Sequence, residues 1–231
     1  MKLDVLYEDN HLIAVNKPAG YVVQENNPGF KSLQEEVKAY IKEKYNKPGA
    51  VFLGVIHRLD TVVTGVVLFA RTSKALARMN EQFKQRSIKK TYLALVRRKP
   101  NPMAGTLVHY LKKDEKKNKT KLYEEEREGS KRAELHYEYI STANHCFLLR
   151  VNPVTGRPHQ IRVQLARTFT GIVGDVKYGQ TKPNVDKSIY LHALGLHFIH
   201  PVTKEKINLH APLPHFGNWK FFKEIEHSLL E

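Results

Sequence analysis

Strand-length runs of β-branched and apolar residues recur along this 231-residue chain, yet helical patterning interrupts them at only three places. That uneven rhythm limits the folds open to it. Residues 3–7 and 11–15 read as two short strands, with the turn at Asp9 and Asn10 and the pair closed by Asn16-Lys17-Pro18-Ala19-Gly20. Residues 32–45 read as a helix, because Ser32 and Glu35 have capping-box spacing and Leu33, Val37, Tyr40 and Ile41 share a face. A second helix is expected over 73–85, with Leu76, Met79 and Phe83 on its apolar stripe. The runs 51–56 and 65–70 between these helices read as strands, so residues 57–64 form a connection.

Further strands are expected at 91–96, 106–111, 133–140 and 147–151, interrupted by the charged stretch 112–132. That stretch reads as a solvated hairpin loop, with direct contact to a polyanion as the alternative. Gly156-Arg157-Pro158 opens a third helix with Pro158 near its first position, and Ile161 and Leu165 fall on its buried side. Strands at 189–199 and 206–209 precede a polar, aromatic tail containing Trp219. Strands and helices do not alternate regularly, so an α+β fold with a mixed, largely antiparallel sheet is expected rather than a doubly wound one. Nothing resembles a linker or a repeat, and one domain over residues 1–231 follows.

Composition then narrows the partners. Hydrophobic residues are 41% and charged residues 26%, the balance of a folded protein, while a net charge of +15 implies attraction to a polyanion. No stretch approaches the roughly 20 apolar residues of a spanning helix, and the start Met1-Lys2-Leu3-Asp4 is no signal peptide. A cytoplasmic protein with no membrane partner is expected. The one cysteine, Cys146, sits in a strand-like run and reads as a buried thiol.

Several chemistries lack their signatures. There is no phosphate loop, no dinucleotide fingerprint and no nucleophile elbow, so no cofactor is expected. The 12 histidines show no H-E-x-x-H spacing, and His192, His197 and His200 lie in strand-like sequence, so no metal is expected either. What remains is Asp60, two residues after Arg58 in a basic connection, with Arg157 and Arg162 grouped on the third helix. Asp60 can be an ordinary turn residue tied by a salt bridge or a working carboxylate, and the residues alone leave both readings open.

Five segments, however, occur together in order: Leu12 to Gly20, His57-Arg58-Leu59-Asp60 through Gly65, Lys90-Thr91-Tyr92, Thr155-Gly156-Arg157-Pro158-His159-Gln160-Ile161-Arg162-Val163, and Leu191-His192-Ala193. In that order and register the chain resembles the RluA-type pseudouridine synthases over nearly its whole length. The resemblance implies a twisted, largely antiparallel sheet flanked by helices around a central catalytic cleft. It implies an enzyme that breaks the bond from ribose C1′ to uracil N1, turns the base and rejoins it through C5.

It also implies roles for particular residues. Asp60 would be the catalytic aspartate, Tyr92 would stack near the target uracil, and Arg162 would pair with Asp60 to hold it charged and aimed. Leu191 would line the pocket floor and Arg58 would enter the RNA where the uridine leaves its stack. His57, Thr64, Arg157, His159 and Gln160 would complete the substrate-binding set. Flipping a uridine costs a few kcal/mol, and stacking on an aromatic returns about 1–3 kcal/mol, so a ribosomal or transfer RNA stem-loop is the expected partner, with no DNA. Arg86, Lys89 and Lys90 before Tyr92, and Arg97, Arg98 and Lys99 after it, suit the flanking phosphates, with a solvated helix end as the competing account for Lys89 and Lys90. A monomer is expected.

Two departures stand out. Val63-Thr64-Gly65 replaces the family's usual Thr-Ser-Gly, and Gln164 stands where a histidine is common. The frequent N-terminal S4 module is expected to be missing, since the first hairpin begins at Leu3. Two rivals remain: a non-catalytic RNA-binding protein on the same fold, and a metal-dependent nuclease using His57, Asp60 and His159.

Overall fold

The computed structural model describes residues 3–24 and 32–229, so the start at Met1 and Lys2 lies outside the described residues. The chain divides into two compact units, Met1–Lys89 with Ala193–Pro212, and Lys90–His192 with Leu213–Glu231.

In the first unit, β1 (Val5–Glu8) and β2 (Leu12–Lys17) form the expected hairpin. Its turn is an Asx turn, with Asp9 Oδ1 accepting the N–H groups of His11 and Leu12 at 2.7 and 2.6 Å. α1 (Leu33–Lys44) starts where the capping pattern places it, and Ser32 Oγ accepts the Glu35 N–H at 3.2 Å. The run 51–56 yields only the short β3 (Gly54–Val55). Leu53 gives its carbonyl to Gln34 Nε2 at 2.7 Å, so a side chain takes the bond that a neighbouring strand would have made.

β4 (Thr64–Ala70) is buried along its whole length and pairs with β2 and β3. α2 (Ser73–Lys84), capped by Thr72, packs Ala75 and Met79 into a core with Leu12, Val66, Leu68, Leu196 and Leu209. Continuous burial of β4 explains why its sequence is unbroken apolar rather than alternating.

The second unit is an antiparallel sheet of β5 (Lys89–Val96), β9 (Cys146–Pro153), β8 (Lys131–Ala143), β6 (Ala104–Asp114) and β7 (Lys119–Tyr123), in that order. β7 corrects the reading of 112–132 as a loop. Alternation decides it: Thr120 is buried between exposed Lys119 and Lys121, which is strand patterning hidden among charges. Cys146 is buried at the start of β9, with its thiol pushed up by desolvation.

α3 (Gln160–Phe169) begins two residues later than expected, because His159 holds a left-handed backbone at φ 53° and leaves Pro158 outside. Ile161 and Leu165 are buried as the pattern requires, and Val163 packs with Leu111, Ala133 and Tyr178. β10 (Leu191–Ile199) and β11 (Lys206–His210) are antiparallel, with most of β10 in the first unit. The tail forms 3₁₀ turns that bury Trp219 and Phe222, the expected aromatic segment serving as core. Among the described residues, three α-helices and a mostly antiparallel sheet make this the α+β fold expected.

Candidate active site

In the first unit the residues of interest lie on the connection before β4. Arg58 is exposed, Asp60 half-buried, and Leu59 between them buried, which pins the connection at its middle. The Asp60 carbonyl accepts the Val63 N–H at 3.0 Å and closes a tight turn. Beneath it lies Lys17, fully buried, a residue that the sequence places at the closure of the hairpin and within the first of the five ordered segments but gives no role in the site.

Lys17 Nζ donates to the carbonyls of Pro18, Thr61 and Val63 at 2.9, 3.1 and 2.8 Å. The three donors of the ammonium thus have three backbone acceptors. Burial pushes its pKa down to about 7, and the negative charge of Asp60 acts the opposite way. Two of the three carbonyls follow Asp60 closely in sequence, so Lys17 holds the backbone that carries it.

Two further residues of this segment are fixed by packing. His57 Nε2 accepts the Leu68 N–H at 3.1 Å, which places the neutral ring's proton on Nδ1, and the ring stacks on Phe83 at 5.4 Å. Thr64 is buried at the head of β4. Gly65 follows at φ 114°, and a Cβ there would lie 2.2 Å from the Ala193 carbonyl oxygen. Only glycine permits that approach of β4 to β10.

In the second unit Tyr92 is half-buried on β5, opposite Val151 of β9. Leu191 is buried at the start of β10. Arg162, 5% exposed on the first turn of α3, is gripped by Asp175: Nε donates to Oδ2 at 2.7 Å and Nη2 to Oδ1 at 2.8 Å. Its guanidinium also lies 5.1 Å from the Tyr178 ring centroid. Such a fork-to-fork pair fixes the plane of the guanidinium as well as its position. Sequence reasoning missed Asp175 and Tyr178, and the one available signal is the glycine punctuation at Gly174 and Gly179, both at positive φ.

The segment leading into α3 is closed on itself. Gln160 Oε1 accepts from Thr155 Oγ1 at 2.7 Å and from the Arg157 N–H at 3.0 Å, and Gln160 Nε2 donates to the Glu134 carbonyl at 2.9 Å. Arg157 Nε donates to the Arg132 carbonyl at 3.0 Å. His159 Nδ1 meets the Tyr178 hydroxyl at 2.7 Å, and that hydroxyl accepts the Thr120 N–H at 2.7 Å. Burial raises the Tyr178 pKa, which keeps the phenol protonated. Gln164, the departure from the family's histidine, is fully buried and donates Nε2 to the Leu107 carbonyl at 3.1 Å. Among the described residues, no group of three or more His, Cys, Asp or Glu side chains is arranged to hold a metal ion.

Comparison with known proteins supplies the class. Residues 11–167 match the RNA pseudouridylate synthase family. This chain belongs to that family, whose members are isomerases acting on RNA.

Among its relatives, ribosomal large subunit pseudouridine synthase C of Buchnera aphidicola subsp. Acyrthosiphon pisum (strain APS) is 33% identical over 216 residues, covering 90% of this chain and 67% of the relative. The protein of the same name from Rickettsia felis (strain ATCC VR-1525 / URRWXCal2) is 33% identical over 219 residues, covering 94% and 70%. The chain thus spans about two thirds of the length of these relatives. In structure, human RNA pseudouridylate synthase domain containing 4 aligns with a TM-score of 0.78 at 24% identity, covering 95% of this chain and 92% of that one. Human RNA pseudouridylate synthase domain containing 1 aligns at 0.70 and 22%, covering 94% and 86%, and both show the fold.

Proposed function

We propose that this chain converts uridines of ribosomal RNA to pseudouridine, with Asp60 as the catalytic carboxylate. The observation that carries the reading is the family match over residues 11–167, which spans the Asp60 connection, Tyr92 and Arg162. The names of the relatives point to large-subunit ribosomal RNA as the substrate class.

In this proposal Asp60 acts as nucleophile or base on the nucleoside, and its backbone is kept in place by the Lys17 clamp. Tyr92 stacks against the flipped uracil, and Arg162 serves as the charge partner of Asp60 during the reaction. A guanidinium whose orientation is set by Asp175 costs little further ordering when substrate arrives. Arg58, exposed on the connection, enters the RNA where the base leaves its stack. Thr64 and Leu191 shape the pocket, and Arg157 and His159 contact the RNA backbone. His57 and Gln160 contribute through the segments they hold, since their ring nitrogen and amide ends are engaged within the protein. Residues 1–231 act as one catalytic domain, a cytoplasmic monomer working on a stem-loop. Among the described residues no helix is long and apolar enough to cross a membrane.

The test uses large-subunit ribosomal RNA transcribed with C5-tritiated uridine. Isomerisation at C5 releases the label while the strand stays whole, with or without chelator. Strand cutting abolished by chelator would establish the nuclease instead. Retention of RNA without label release on any RNA tried would establish a binding protein.

A further inference from the structure

The β6–β7 hairpin carries more positive charge than its folding requires. The two strands pair from Tyr110↔Tyr123 to Asp114↔Lys119, which sets Lys112 directly opposite Lys121, and like charges facing across a ladder are destabilising. Lys112, Lys113, Lys116, Lys117, Lys119 and Lys121 are all exposed. Three have polar partners nearby: Lys113 pairs with Glu115 at 2.6 Å, Lys121 with Asp114 at 4.0 Å, and Lys112 Nζ donates to the Glu128 carbonyl at 2.9 Å. Among the described residues, no ion pair takes Lys116, Lys117 or Lys119, and Lys119 Nζ stands 5.5 Å from the Tyr178 ring centroid.

This hairpin is also firmly seated. Thr120, 2% exposed, donates its N–H to the Tyr178 hydroxyl at 2.7 Å and its own hydroxyl to the Pro158 carbonyl at 2.9 Å. Lys177 Nζ donates to the Asn118 carbonyl at the hairpin turn at 3.0 Å and brings a further cation there. Pro158 belongs to the 155–163 segment, and the Tyr178 ring that holds Thr120 lies against Arg162. Ammonium groups outside any ion pair are therefore presented on a scaffold fixed to the segment that bears Arg157 and Arg162. At a fixed position such groups recognise phosphates without regard to base sequence.

We propose that the β6–β7 hairpin is a docking arm for the substrate RNA, with Lys116, Lys117 and Lys119 taking backbone phosphates. The inference rests on the proposed RNA isomerase activity and names a surface that adds affinity and no chemistry. The variant Lys116→Gln, Lys117→Gln, Lys119→Gln leaves Thr120 and Tyr178 in place. On the tritiated ribosomal transcript its KM should rise about tenfold, with kcat within twofold of wild type. The slope of log affinity against log salt should flatten by about 2, near 0.7–0.9 for each phosphate that is no longer neutralised.

A charge-matched control, Lys42→Gln, Lys47→Gln, Lys74→Gln, removes three exposed lysines from the first unit and should change KM and the slope far less. An unchanged KM and slope in the hairpin variant, or an equal change in the control, would overturn the arm while leaving the isomerase reading intact. Filter retention of the same transcript repeats the comparison without turnover. Wild-type protein that binds through the hairpin yet releases no label would count against the isomerase reading instead.

Discussion

Around Asp60 the chain holds its connection with one buried ammonium facing three carbonyls, whereas around Arg162 it uses a complete ion pair, Arg162 with Asp175. The first arrangement rests a buried charge on backbone dipoles, and desolvation brings Lys17 to a pKa of about 7. The second buries two opposite charges, and a guanidinium keeps its proton throughout the physiological range. One support is therefore sensitive to pH near neutrality, and the other is indifferent to it. The difference shows two ways to fix a functional side chain: by holding the backbone beneath it, or by gripping its own charged end.

Breaking the ion pair should cost most. Asp175→Ala removes the carboxylate that takes two hydrogen bonds from the guanidinium of Arg162, 5% exposed, and should lower stability by about 3–5 kcal/mol, read as a fall in thermal midpoint. A loss below about 1 kcal/mol would mean that the pair contributes little to holding Arg162.

Lys17→Met comes next, leaving three carbonyls without their donor at a cost of about 3 kcal/mol at neutral pH. Its pH dependence sharpens the contrast. In the folded wild type the Lys17 pKa is lowered from 10.5 to about 7, so between those values the unfolded chain holds the extra proton. Stability should therefore rise with pH across that window, and the penalty of burying the charged form should be complete below it. Lys17→Met should abolish this rise and Asp175→Ala should preserve it, in unfolding titrations at pH 6, 8 and 10.

Tyr178→Phe should have the smallest effect, about 1 kcal/mol, because it removes one hydroxyl from between Thr120 and His159 and keeps the ring against Arg162. Faster amide exchange at Thr120 would locate the loss.

These supports also mark where the sequence was legible. α1 and α2 were readable because their apolar faces repeat at helical spacing, with the capping-box spacing of Ser32 and Glu35 marking the start of α1. β7 was hidden because its inward residues, Thr120 and Leu122, are scattered among lysines, and the turn residues before it, Asp114 and Asn118, lie within the same charged run. The start of α3 was misplaced because Pro158 suits a first helical position, yet His159 turns left-handed before the helix begins. Asp60, Tyr92 and Arg162 could be named from ordered segments, but Lys17 and Asp175 could not be assigned their parts. Lys17 lies within the first ordered segment and Asp175 is marked only by flanking glycines, and their importance depends on carbonyls and a guanidinium that folding brings close.

The central claim is that Asp60 carries the chemistry, and C5-tritium release by wild-type and Asp60→Asn protein at matched fold stability tests it most directly. Stoichiometric release from ribosomal transcript is expected of the wild type and a loss of at least about a thousandfold in the variant, with RNA retention unchanged. Equal release by the two proteins would contradict it.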